Sequence, residues 1–245
     1  MTGCDDWNEL LPPGATESLH RMNRHHVKFI QTALPTSIDW NGPAWAGCVP
    51  LTVDQFHSRS SDHRPVTQVK LLATGEAMHL IFRVMDRFIL SRATHYQEMV
   101  CRDSCVEFFW QPVEGKGYFN FEFNCGGTML LYYLRGSNRK PDGSMSDFIE
   151  VDAVHGNQIE IITTMPRTVP VEIVDPMEWR LAARIPYRAL EAYVGPITVG
   201  IGGKSRANFF KCGSECSHPH WASWSNIGET LDFHQLARFG ELEYA

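Results

Sequence analysis

The chain of 245 residues has no excess of positive charge: 22 lysines and arginines stand against 28 aspartates and glutamates, for a formal net charge of -6. A nucleic-acid or anionic-membrane partner calls for a basic stripe. None occurs, so neither is expected as a partner. No apolar run approaches the roughly 20 residues of a membrane-spanning helix. The opening MTGCDDWNELLPPGATES has neither the basic segment nor the apolar stretch of a secretory leader, which makes the cytoplasm the expected location. Cysteine is scarce and odd in number, seven in all, a count that fits reduced thiols rather than a disulfide frame. A serine nucleophile elbow and a dinucleotide fingerprint are missing. GIGGKS shares only composition with a phosphate-binding loop, because it lacks the G-x4-G-K-[ST] spacing. Long segments with a 3.6-residue period are absent too, which removes a helical architecture.

What the chain does have is strict alternation. In GYFNFEFNCGGT, residues 117 to 128, Phe119, Phe121 and Phe123 fall on one side of an extended chain and Tyr118, Asn120, Glu122 and Asn124 on the other. The phenylalanine face is core. The opposite row of phenol, amides and carboxylate is unlike the Thr, Lys and Ser of an ordinary wet strand.

The same texture recurs from residue 36 onward. PVTQVKLLA, the turn TGEA and MHLIFRVMD form a hairpin in which Met78, Leu80, Phe82 and Val84 share a face and Arg83 lies on the other. SCVEFFWQP, GTMLLYYLRG, QIEIITTMP, EWRLAARIPYRAL and GPITVGIGGKSRANFFK supply further strands, with a break at Gly126 and Gly127 and short helical turns. DRFILSRATHYQEMVCRD reads as a long loop with a helical turn, of the kind that is usually functional. Together these predict an all-β fold, an antiparallel two-sheet β-sandwich with minor helical segments. Residues 1–35, with Pro12, Pro13 and the pair His25 and His26, read as an N-terminal extension packing along a domain of residues 36–245, with one strand near HHVKFIQ.

The order of TQVKLLATGEAMHLIFRVMD, DSCVEFFWQP, YFNFEFNCGG, RIPYRAL, RANFFKCG, WASWS and FHQLARFGELEY resembles the family 9 carbohydrate-binding modules in their stand-alone, family 9-like form, over roughly residues 36 to 245. The resemblance implies non-catalytic binding of sugar-chain ends in a slot between two aromatic rings, in support of carbohydrate catabolism. It places Glu107 and Asn124 on sugar-bonding positions. It places Glu122 where the best-known modules carry an arginine, Val100 and Cys101 where the first slot tryptophan would stand, and Phe233 near the second. Trp110, Trp221, Trp224 and Tyr96 are the aromatic rings available as replacements. The ligand-binding set expected is Glu107, Glu122, Asn124, Arg83, Phe233 and Trp224, with a mono- or oligosaccharide as partner and no cofactor.

The residues by themselves leave other readings open. Sugar hydroxyls need paired donors and acceptors and their C–H faces stack on aromatic rings, which suits the polar row. A solvated sheet face with Glu122 paired to a neighbouring cation is the plainer alternative. Asp103, Glu107 and Glu122 offer the carboxylate pair of a glycoside hydrolase, although Asp103 also fits a loop-to-strand residue that accepts backbone amides. CGSECSHPH brings Cys212, Cys216, His218 and His220 within nine residues, competent ligands in a spacing uncommon for structural zinc. A haem sandwich would need facing axial ligands, for which His79 with Met85 or Met129 can be invoked.

Overall fold

The computed structural model describes residues 22–141 and 145–245. Its strands in chain order are β1 (Arg24–Phe29), β2 (Leu51–Val53), β3 (Gln55–Phe56), β4 (Val66–Ala73), β5 (Ala77–Asp86), β6 (Ile89–Ser91), β7 (Cys105–Gln111) and β8 (Tyr118–Asn124). They continue with β9 (Met129–Leu134), β10 (Phe148–Glu150), β11 (Glu160–Thr163), β12 (Val169–Ile173), β13 (Met177–Pro186), β14 (Lys204–Gly213), β15 (His220–Ser223) and β16 (Gly240–Tyr244). One sheet runs β10-β9-β8-β7-β14-β16, with β15 and β3 at its β14 end; the other runs β4-β5-β13-β11, with β2 on β4. Nearly all pairings are antiparallel, as the sandwich reading requires.

The strand near HHVKFIQ joins the two sheets. β1 pairs in parallel with β16 through Arg24 to Val27, then with β4 through Lys28 and Phe29. A strand that switches sheet in this way makes the corner of a sandwich. The expected extension before residue 36 therefore contributes a paired strand; the part of it before residue 22 lies outside the described residues. GPITVGIG, read as the start of a strand, is irregular in the structure, and β14 begins only at Lys204. Pro196 removes a backbone donor there, and Gly202 holds a φ of +81° that a strand cannot use.

The alternation sorts the core. Phe119, Phe121 and Phe123 are fully buried between the sheets with Phe108, Trp110 and Phe209, facing Met78, Leu80, Phe82 and Val84 from β5 and Leu181 from β13. Phe108 stacks on Phe209 at 5.0 Å between centroids and on Phe121 at 5.8 Å. At one end of this apolar layer sits a buried ionic group. Lys211 Nζ lies 3.3 Å from Asp86 Oδ2 and donates to the His220 Nε2 at 2.7 Å and to the Cys212 carbonyl at 3.0 Å. Asp86 also takes His63 Nε2 at 2.8 Å and the Trp179 indole N–H at 3.1 Å. Two charges out of water are tolerable only with such saturation. Among the described residues no helix is long and apolar enough to cross a membrane.

Candidate functional site

The outer face of the larger sheet is apolar where a sandwich is usually wet. Phe109 on β7, Tyr118 on β8 and Phe210 on β14 project outward and are buried, together with Ile227 and Phe239 from the carboxy-terminal segment. Val100, Cys105, Leu130 and Cys212 form a second cluster on the same face. The segment that follows β15 folds over this face and supplies Leu231, Phe233 and His234. Between the clusters lies a cavity of about 560 Å³, within the range of small-ligand sites.

Strand parity builds its floor. Glu107 on β7 stands directly opposite Glu122 on β8, and Phe210 on β14 stands directly opposite Glu107 on the other side. Residues directly opposite on one face of paired strands have Cβ atoms about 4.5 to 5.5 Å apart, so the two carboxyl groups share one small volume. Asn120, two positions before Glu122, donates to Glu122 Oε1 at 2.8 Å, and its own oxygen accepts the Tyr132 amide at 2.8 Å. Glu107 Oε1 accepts from the Cys212 thiol at 3.1 Å, with the Cys105 thiol at 3.9 Å. Glu107 Oε2 is buried without a partner. Burial, then the facing Glu122, pushes the Glu107 carboxyl well above the ordinary carboxylate range, and burial raises Glu122 as well. These acids carry protons readily and can donate as well as accept.

The walls are aromatic. Phe233 stacks on Phe210 at 4.0 Å with planes 11° apart, which leaves its other face for the cavity. Trp221 and Tyr132 add further rings, and Arg139, which donates to Asp232 Oδ2 at 2.9 Å, lines the cavity with that aspartate. Tyr118 is withdrawn from the floor, its hydroxyl bonded to His234 Nδ1 at 2.9 Å.

A buried carboxyl and amide floor under aromatic walls is the chemistry of hydroxyl recognition, and the sequence pattern of carbohydrate-binding family 9 matches residues 46–244. The chain belongs to carbohydrate-binding family 9. Its fold is shared with a candidate carbohydrate-binding protein from Bacteroides uniformis, at a TM-score of 0.78 and 24% identity over 91% of this chain and 100% of that one. A family 9 module from Caldicellulosiruptor kristjanssonii in complex with cellotriose aligns at a TM-score of 0.59 and 12% identity, covering 91% of this chain and 93% of that chain. A module of the same family and organism in complex with glucose aligns at 0.54 and 14%, covering 91% and 96%. No curated protein matches.

Against this family 9 frame, Glu107, Glu122 and Phe233 come together at the cavity, and the solvated-face reading of Glu122 is corrected, because the residue is only 7% exposed. Asn124 is at the end of the same row but outside the cavity. Its amide nitrogen donates to the Ala93 carbonyl and to Asp103 Oδ2 at 2.9 and 2.8 Å, and its oxygen accepts the Thr128 amide at 2.8 Å. Arg83 lies on the other sheet, bonded to Gln68 and with its guanidinium 4.5 Å above Trp40; being on the same hairpin as the core did not bring it to this face. Trp224 is buried in the inter-sheet core, edge-on to Phe209 at 5.7 Å and pressed on Gly240, where a Cβ would collide with its ring. Trp221 takes its place at the cavity. Three positions separate the two tryptophans, an odd offset that puts them on opposite faces of an extended chain, and parity alone could have chosen between them. Trp110 and Tyr96 also pack inward, through Trp110 Nε1 to Ser205 Oγ at 3.0 Å and Tyr96 Oη to the Val151 carbonyl at 2.7 Å.

Of the remaining candidate sets, the carboxylate one assembles only in part, since Glu107 and Glu122 meet while Asp103 is held by backbone amides, and the others do not assemble. Asp103 Oδ2 accepts the amides of Arg92 and Ala93, both at 2.9 Å, which is the loop-to-strand role and leaves it no acid–base work beside Glu107. Cys212, Cys216, His218 and His220 point apart: Cys212 faces the cavity, Cys216 contacts Ser104 at 3.7 Å, His218 stacks on Phe88 at 3.7 Å, and His220 is held by Lys211. His79 and Met85 are on one strand, six residues or about 20 Å apart, and Met129 faces the inter-sheet core, so neither pairing can clamp a haem iron. The group of His, Cys, Asp and Glu donors that does converge among the described residues is Cys105, Glu107 and Cys212, with ligand atoms all within 4.8 Å of one another. It shares only Cys212 with the expected quartet.

Proposed function

We propose that the chain binds a terminal or short saccharide, without cleaving it, in the cavity on the outer face of its larger sheet. Glu107, Glu122 and Asn120 are the hydroxyl partners in this reading, and Phe233 and Trp221 are the surfaces for the sugar's C–H faces. The observation that carries it is Glu107 Oε2, a carboxyl oxygen buried in the cavity floor with no partner. An unsatisfied buried polar atom costs about 1 to 3 kcal/mol, and a sugar hydroxyl arriving there recovers that cost. The bound sugars of the family 9 structures, cellotriose and glucose, support a gluco-configured ligand. Asn124 acts indirectly, by tying the loop at Ala93 to the end of β8. Folding of residues 36–245 as one unit, with the strand Arg24–Phe29 joining its two sheets, belongs to the same reading.

A glycan array followed by calorimetry on the strongest hits tests it, with glucose and cellotriose included. Binding is expected to weaken in Glu107→Gln and Phe233→Ala while reducing-sugar release from the same ligands stays at the blank level. Binding unchanged in both variants, each still folded, would move the site elsewhere; release abolished by Glu107→Gln would make the protein a hydrolase.

A further inference from the structure

We infer that Cys105, Cys212 and Glu107 form a binding site for a soft divalent cation such as zinc, in the floor of the cavity. The placement follows from register. Cys105 and Cys212 are directly opposite each other on β7 and β14, and Glu107 is two residues after Cys105 on β7, so all three side chains project from the same small area of the outer face. Cys212 Sγ lies 3.1 Å and Cys105 Sγ 3.9 Å from Glu107 Oε1, and the donor atoms all fall within 4.8 Å of one another. A tetrahedral zinc with Zn–S near 2.3 Å and Zn–O near 2.0 Å has ligand–ligand edges of about 3.5 to 3.8 Å. The two thiol–carboxyl distances lie on either side of the sulfur–oxygen edge, so those two contacts need adjustments of about 0.4 Å each to admit the ion.

A second observation points the same way. Glu107 is 2% exposed and its Oε2 has no hydrogen-bond partner; the carboxyl group thus keeps one unpaired buried oxygen besides the Oε1 that lies beside both sulfurs. Thiolate with carboxylate is a donor set for zinc rather than for calcium or magnesium, which take oxygen ligands. As the cation enters, the protons of both thiols and of the carboxyl group leave to solvent, and the dication offsets two of the three negative charges they leave behind. Three protein ligands leave a fourth position open, as in zinc sites that bind an exchangeable ligand, and that position faces the cavity through which the ion arrives.

Cobalt(II) reads the site without any sugar present, so its outcome is independent of the carbohydrate proposal. Titration of the full, chemically reduced chain under anaerobic conditions is expected to give one equivalent of tetrahedral cobalt, with intense visible ligand-field bands and a near-ultraviolet thiolate-to-metal charge-transfer band that zinc displaces. The charge-transfer band should disappear in Cys105→Ser/Cys212→Ser, and affinity should fall by about tenfold or more in Glu107→Gln, by analogy with the loss on disturbing a metal's surroundings. Cys101→Ser and Cys48→Ser should keep the band. If the double variant does not fold, each single serine variant, judged by circular dichroism, replaces it and should lose about half of the charge-transfer intensity. The inference is overturned by a reduced parent that shows no charge-transfer band, by a band that survives undiminished without Cys105 and Cys212, or by one that depends on Cys101.

Discussion

Replacing Phe233 with alanine strips one wall from the cavity and leaves the inter-sheet core intact. The size of the effect follows from the stacking geometry. Phe233 lies on Phe210 with centroids 4.0 Å apart and planes at 11°, so one face of the ring is already covered by protein and only the other can meet a ligand. A single aromatic-face contact is worth about 0.5 to 1.5 kcal/mol beyond the area it buries, or roughly a 2- to 13-fold rise in Kd. Because the ring is only partly buried, its loss should cost the fold about 1 to 2 kcal/mol, less than the 3 to 5 kcal/mol of a fully buried phenylalanine. Calorimetry with the best array ligand and with cellotriose reads the first number, and urea unfolding reads the second. A Kd unchanged in a folded Phe233→Ala protein would show that the ligand does not touch this wall. A loss of a thousandfold or more would refute the one-sided contact, since stacking on one face together with the area it buries cannot supply about 4 kcal/mol.

Other outcomes follow from the core. Phe121→Ala should lower stability by about 3 to 5 kcal/mol in urea unfolding by opening a cavity between the sheets; an unchanged midpoint would mean the ring is not held there. Asp86→Asn and Lys211→Met should each destabilise by about 3 to 5 kcal/mol by leaving a buried charge without its partner, and the double variant should cost clearly less than the sum, so additive losses would show that the pair at 3.3 Å does not interact. Acid should weaken the fold through His220, whose pKa is held down to about 3 by burial and by Lys211, while Asp86 opposes the shift. The unfolded imidazole protonates near pH 6.5 and the folded one does not, so stability is full above about pH 6.5 and declines as the pH falls toward 3, by roughly 5 kcal/mol at most from this group. His220→Gln should flatten that decline in unfolding curves recorded between pH 7 and pH 4, and an identical acid limb would refute the assignment.

The alternation in β8 was enough to separate core from site, because a strand has a period of two and its phenylalanines cannot change face without carrying the whole strand with them. Glu122 was legible for the same reason, and Glu107 and Phe233 through the family resemblance. Arg83 was not, since parity says which side of its own strand a residue takes but not which of two sheets that strand joins. Trp224 was misread because WASWS offers two indoles and only the odd offset between them says that they diverge. The dense CGSECSHPH loop suggested ligands that were neighbours in sequence, whereas the donors that converge, Cys105 and Cys212, are more than a hundred residues apart and meet only through the pairing of β7 with β14. The β1 strand itself was legible in HHVKFIQ, but its parallel pairing between two sheets leaves no local signature.

The position of the cavity follows from a conflict on the outer face of the larger sheet. Phe109, Tyr118, Leu130 and Phe210 are apolar enough that this face must be covered, and residues after β15 cover it. The cover cannot close completely, because Glu107 and Glu122 stand between the two apolar clusters. Packing hydrocarbon onto them would shut two already buried acids off from any further polar partner, at a cost in free energy. Space therefore remains above the carboxyl groups while the flanking rings are held in place by their own packing. A ligand fits here if it carries hydroxyls for the acids and C–H surface for the rings, and a cation fits if it offers charge to Glu107 and soft coordination to the thiols beside it. Both proposals call on the Glu107 carboxyl group, whose Oε2 the protein itself leaves unpaired, so if both hold, metal occupancy and sugar contact at Glu107 compete for a single carboxyl group.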